Sequence, residues 1–106
     1  MNRISYKPKH EILIKIDKIK PFVNICKVTK KEEYINCEVK YIPNDSVIEI
    51  GSYRERLAEG FKEYIEDIPQ IIYDEILNLI QPKKLFVKVY LEDEYLSNWS
   101  VEVGKC

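Results

Sequence analysis

The sequence predicts an α+β domain in which two helices cover one face of a four-stranded antiparallel sheet. Three observations predict it. Segments with apolar residues at every second position occupy both ends of the chain, two segments of helical period fill its middle, and 106 residues suffice for one core and not two. The resulting order, ββααββ, is that of an antiparallel sheet with its helices segregated to one side.

Met1 to His10 mixes charges around Pro8 without a period and reads as a flexible N-terminal arm, with residues 11–106 forming the single domain. From Glu11 to Lys20, Ile12, Ile14 and Ile16 alternate with Lys15 and Asp17, the pattern of a half-buried strand that Pro21 ends. Phe22, Val23 and Ile25 then lead into a polar loop beginning at Cys26. The next strand puts Ile35, Cys37, Val39 and Tyr41 on one face and Asn36, Glu38 and Lys40 on the other, so Cys37 reads as a small core residue. Pro43-Asn44-Asp45-Ser46 is a turn before a short apolar piece, Val47 to Ile50.

Ser52 is the expected N-cap of the first helix, with Glu55 completing a capping box, and Tyr53, Leu57, Phe61 and Ile65 share its apolar face. Asp67 can cap a second helix that tolerates Pro69 in its first turn. Ile72, Ile76, Leu79 and Ile80 form its stripe until Gln81-Pro82 stops it. Two more alternating strands close the chain: Leu85, Val87, Val89 and Leu91, then Trp99, Val101 and Val103, joined through Glu92-Asp93-Glu94. Such a sheet leaves its edges open, which association with further copies resolves.

The net charge of −1 hides an asymmetry: residues 1–42 carry ten Lys/Arg against five acids, and residues 43–106 seven against thirteen. That permits a local basic face without making a general polyanion binder. No apolar run approaches a membrane span, and no apolar segment follows the basic N-terminus as in a signal peptide. With three cysteines and no close-spaced pair, a cytoplasmic protein without membrane contact is expected. His10 is the only histidine, and one imidazole with scattered cysteines does not build a zinc or iron site.

Chemistry concentrates between Cys26 and Pro43. Cys26 lies in a loop with Lys27, Lys30 and Lys31, cations of the kind that favour a thiolate. Glu33 follows seven residues later at the mouth of the next strand, where a carboxylate can exchange protons during an addition reaction. The same residues also describe an ordinary surface thiol beside a solvated charge run. Cys106 is a tail thiol.

The order Cys26-Lys27-Val28-Thr29, a polar spacer, Glu33-Tyr34, an alternating strand and Tyr41-Ile42-Pro43 resembles the QueF family of nitrile reductases, which act on 7-cyano-7-deazaguanine (preQ0). Tyr64-Ile65-Glu66-Asp67 is similar to that family's F-H-E-D, and Glu49-Ile50-Gly51-Ser52-Tyr53-Arg54 to its E-[SL]-K-[SA]-x-K. The resemblance implies the tunnelling fold, with sheets of several subunits joined into rings and active sites at subunit interfaces. It implies that Cys26 attacks the nitrile carbon to form a thioimide and that Glu33, at a usual aspartate position, moves protons. Glu66, Tyr64 and Glu49 become the substrate-binding candidates, Glu66 for the guanine-like edge and Tyr64 for stacking on the base.

Other positions depart from the reductases. Lys27 replaces a proline, Ile65 the histidine, and Gly51 the first lysine of the phosphate-binding stretch, whose second is Arg54. Glu92-Asp93-Glu94-Tyr95 stands where a basic, glycine-rich turn is expected, and acidic side chains repel a dinucleotide phosphate. The chain is therefore more similar to the short QueF-like archaeal amidinotransferases, which add ammonia to the nitrile of preQ0 in tRNA to form archaeosine. That resemblance implies no cofactor. Its implied partners are preQ0-modified tRNA, ammonia and further copies in a homo-oligomeric ring, with pentamers stacked into a decamer as one arrangement. The alternatives are an NADPH-dependent preQ0 nitrile reductase and a non-catalytic purine- or tRNA-binding α+β module.

Overall fold

The computed structural model describes residues 1–17, 20–91 and 99–106. Its strands are β1 (Arg3–Ser5), β2 (Ile14–Ile16), β3 (Phe22–Ile25), β4 (Glu32–Ile42), β5 (Ser46–Ile48), β6 (Lys84–Leu91) and β7 (Ser100–Lys105). The helices α1 (Ile50–Ala58) and α2 (Ile68–Ile80) lie between β5 and β6. The long alternating strand β4 organises the sheet. Its inward residues Ile35, Cys37, Val39 and Tyr41 are each no more than 3% exposed. β6 pairs antiparallel along most of β4, from Ile35↔Leu91 to Ile42↔Lys84, and turns Leu85, Val87 and Val89 to the same core. β7 continues the sheet beyond β6, from Leu85↔Lys105 to Tyr90↔Ser100.

On the other edge of β4, β3 pairs with its first residues and β2 with its last. The α+β class, the two helices and the antiparallel sheet agree with the sequence reading, whereas the simple ββααββ count does not. Among the described residues the sheet has five strands, and a separate two-stranded sheet joins β1 to β5. Pro21, which has no N–H to give a ladder, stands just before β3 and separates it from β2. Lys18 and Ile19, at the end of the strand expected over Glu11 to Lys20, lie outside the described residues, as does the acidic connection Glu92-Asp93-Glu94-Tyr95.

Within the stretch expected as a flexible arm, Arg3–Ser5 pairs with Ser46–Ile48. The backbone fastens there too: Glu49 donates its N–H to the Asn2 carbonyl at 2.9 Å, and Tyr6 donates to Asp45 at 3.0 Å. β1 is exposed throughout, so no buried face imposes a pattern on its sequence.

α1 also differs from the expectation at both ends. Its N-cap is Glu49, whose carboxylate accepts from the amides of Gly51 at 2.9 Å and Ser52 at 2.6 Å. Ser52, the expected cap, lies inside the helix and receives the Asn2 N–H on its hydroxyl at 2.8 Å. At the other end Gly60 takes a left-handed φ of +76° and turns the chain, so Phe61 and Ile65 are buried from an irregular segment. α2 follows the prediction more closely. Asp67 is its N-cap, although the side chain makes no capping bond, and Ile68, Ile72, Ile76 and Ile80 form the buried stripe. Gln81, in the left-handed region, donates to the Leu77 carbonyl at 3.0 Å and ends the helix. Among the described residues, no helix is long and apolar enough to cross a membrane.

Candidate active site

Cys26 follows the last residue of β3 and opens a tight turn to β4. Its N–H donates to the Lys31 carbonyl at 3.0 Å, its own carbonyl accepts from Lys30 at 2.9 Å, and Lys30 adopts a φ of 62° to close the turn. The thiol is partly exposed. The backbone N–H of Thr29, then its hydroxyl, then the Val28 N–H hydrogen-bond to the sulfur and hold its pKa below the ordinary thiol value of 9.0. Partial burial and the negative charge of Glu33 oppose them. The cause differs from the expectation: no lysine is among these influences. Lys27 instead pairs with Glu63 at 3.0 Å, which raises the pKa of its ammonium.

Glu33 lies directly across the hairpin from Asn24, so the two side chains share a face of the sheet. Asn24 is fully buried. Its Nδ2 donates to Glu33 Oε1 and to the Glu63 carbonyl, both at 2.9 Å, and its Oδ1 accepts the Glu63 N–H at 3.0 Å. The adjoining backbone is stitched as well. Phe61 donates to Val23 at 3.0 Å and accepts from Ile25 at 2.9 Å, a parallel bridge along the open edge of β3. The Phe61 ring packs on Phe22 with centroids 5.5 Å apart.

These contacts bring the segment between the helices against the thiol-bearing hairpin. Tyr64 is 47% exposed, and the Lys27 ammonium lies 5.4 Å from its ring centroid. Two residues on, Glu66 is exposed in the turn before α2. The cluster therefore offers a nucleophile stabilised as thiolate, a carboxylate whose charge reaches it, an exposed aromatic ring and a second carboxylate. Among the described residues, no group of three His, Cys, Asp or Glu side chains is placed to hold a metal ion.

No protein-family model and no curated protein matches the sequence. Among solved structures, the chain is similar to the crystal structure of the archaeosine synthase QueF-Like in the apo form. The TM-score is 0.78 at 17% identity, over 92% of this chain and 96% of the other. At that identity the likeness shows the fold.

Of the residues singled out from the sequence, Cys26 and Glu33 are brought together, and Tyr64 and Glu66 stand on the segment fastened beside them. Glu49 lies elsewhere in the chain. It follows Ile48, whose N–H donates to the Tyr41 hydroxyl at 3.1 Å. Tyr41 is eight residues along β4 from Glu33, roughly 27 Å at the rise of an extended strand. The capping amides also draw the Glu49 carboxyl below its usual pKa, Ser52 first and Gly51 second. A hollow of about 510 Å³ opens between β3 and α1, lined by Lys20, Phe22, Tyr34, Arg54 and Leu57 among others, and neither Cys26 nor Glu33 is in its wall.

Asn24 and Glu63 are the site residues that sequence reasoning missed. A signal for Asn24 existed. It follows Phe22 by two in an apolar run, so a strand that buries Phe22 must bury a polar amide as well, and buried amides require partners. Glu63 carried none, since its role is set by a backbone contact with a residue 39 positions away.

Proposed function

We propose that this protein is an amidinotransferase of the archaeosine synthase type, adding ammonia to the nitrile of preQ0 in tRNA through a covalent thioimide on Cys26. The observation that carries the reading is the Cys26–Glu33 pair on one hairpin: a thiol whose surroundings favour thiolate, beside a carboxylate fixed on the facing strand. The fold shared with an archaeosine synthase QueF-Like protein supports it.

The chemistry balances without a redox step. Cys26 gives its proton to Glu33, and the thiolate adds to the nitrile carbon as Glu33 passes that proton to the nitrile nitrogen. One S–C bond forms and one π-bond of the nitrile is lost. Ammonia then attacks the thioimide carbon, and the tetrahedral adduct expels the sulfur to leave a formamidine and regenerate the thiol. No resident metal or redox cofactor takes part. Glu66 accepts hydrogen bonds from the ring N–H and amino group of the deazaguanine, for which a carboxylate with two acceptor oxygens is suited, and Tyr64 stacks on its face. Glu49 belongs to the same site by being supplied from a neighbouring copy in a ring, because within one protomer it begins a helix far along the sheet.

The test is a nucleoside digest of nitrile-bearing tRNA after incubation with the protein and an ammonium salt, without NADPH. The formamidine nucleoside appears with wild type and is lost with Cys26→Ala. Unchanged nitrile contradicts the reading, and NADPH oxidation on the free base would replace it with nitrile reduction.

A further inference from the structure

Asn24 is a fully buried polar side chain in the middle of an otherwise apolar four-residue strand. Burying an amide costs free energy unless it is bonded, and here both its nitrogen and its oxygen are engaged. The partners are unusual in their distribution. One is the Glu33 carboxylate on β4, and the other two are the backbone N–H and carbonyl of Glu63, in the segment that carries Tyr64 and Glu66. The amide thus joins three stretches of chain at one point. Because Nδ2 can only donate, it engages the Glu33 carboxylate as acceptor through Oε1 and leaves Oε2 outside this bond.

We propose that Asn24 is a positioning residue: its buried carboxamide fixes the Glu33 carboxylate beside Cys26 and locks that pair to the segment bearing Tyr64 and Glu66. The catalytic part of this role rests on the amidinotransferase reading, whereas the geometry it acts on does not. Asn24 touches no reacting atom. It acts through Glu33, which without it is a carboxylate on a three-bond side chain, free to turn from the thiol. The charged groups about Cys26 are Glu33 on β4, Glu32 across from Ile25, Lys27, Lys30 and Lys31 in its own turn and Glu63 of the inter-helix segment, the last paired with Lys27. Of these, Glu33 is the one whose charged side chain Asn24 bonds directly.

The experiment is a mutant cycle of Asn24→Ala and Glu33→Gln, read by the pH midpoint of Cys26 alkylation with iodoacetamide. Since the Glu33 charge raises the thiol pKa, each single variant moves the midpoint to lower pH. The double variant moves it no further than Glu33→Gln alone. Additive shifts, or an unmoved midpoint in folded Asn24→Ala, overturn the proposal. This readout stands even if the protein has no activity on nitrile-bearing tRNA, so failure of the proposal is distinct from failure of the reading. Where turnover is observed, Asn24→Ala lowers kcat by about 100-fold with little change in KM, as for a misplaced catalytic group. A loss confined to KM contradicts positioning. Should Asn24→Ala not fold, NMR on the wild-type protein decides: a side-chain amide proton of Asn24 follows the titration of Glu33 and stops doing so in Glu33→Gln. An Asn24 amide signal indifferent to Glu33 overturns the assignment.

Discussion

Cys26 and Cys37 lie eleven residues apart in the sequence and differ in what surrounds the sulfur. Three donors in the turn face Cys26, so its thiolate forms below the ordinary thiol value of 9.0, whereas burial pushes Cys37 up to about 12. Iodoacetamide at mildly alkaline pH should therefore modify Cys26 and spare Cys37 in the native protein, as peptide mass mapping can check. Thr29→Ala removes the hydroxyl donor and leaves the amides, so the Cys26 midpoint should rise towards 9.0 without reaching it. The two thiols also couple to stability with opposite sign. For Cys26 the stabilising contribution is complete above pH 9.0 and is lost as pH falls through its lowered folded value. For Cys37 it is complete below pH 9.0 and declines as pH rises towards about 12. Urea unfolding across that alkaline range should show the decline in wild type and a flatter curve in Cys37→Val.

Element boundaries carry the next set of consequences. Glu49→Gln keeps one capping acceptor but removes the charge that favours a helix N-terminus. Because the folded pKa of Glu49 is lowered, the charged cap stabilises above pH 4.5 and that contribution is lost as pH falls through the folded value. The variant should accordingly be less stable than wild type at pH 7, with the difference closing in acid. At the other end of α1, a Cβ on Gly60 would lie 2.7 Å from the Val23 carbonyl, the acceptor of the Phe61 bridge. Gly60→Ala should cost about 1–3 kcal/mol in urea unfolding, the usual range for a strained backbone position. The same elements show what was legible in the sequence. β4, β6 and α2 were, because one face of each is buried and a buried face imposes a period. β1 was not, since it is exposed throughout, and the end of α1 was misread because Phe61 and Ile65 keep helical spacing while being buried from an irregular segment. In the site, the spacing of Cys26 and Glu33 was readable along one hairpin. The clasp through Asn24 was not, because its partners at Glu63 lie 39 residues away.

The proposed site needs more than one copy of the chain. Cys26 and Glu49 stand far apart along the sheet of one protomer, so a site that uses both draws them from different subunits. Mixing inactive Cys26→Ala subunits with inactive Glu49→Ala subunits should then restore a fraction of wild-type activity, since some sites combine an intact residue from each. No recovery after exchange would assign Glu49 to the helix cap alone. The proposed chemistry stands on a covalent bond between Cys26 and a nitrile carbon, which intact-protein mass spectrometry detects. Incubated with free preQ0 in the absence of ammonia, the wild-type chain should gain the mass of one base, and Cys26→Ala should gain nothing. An unchanged wild-type mass, or an adduct that survives in Cys26→Ala, would rule out the thioimide on Cys26.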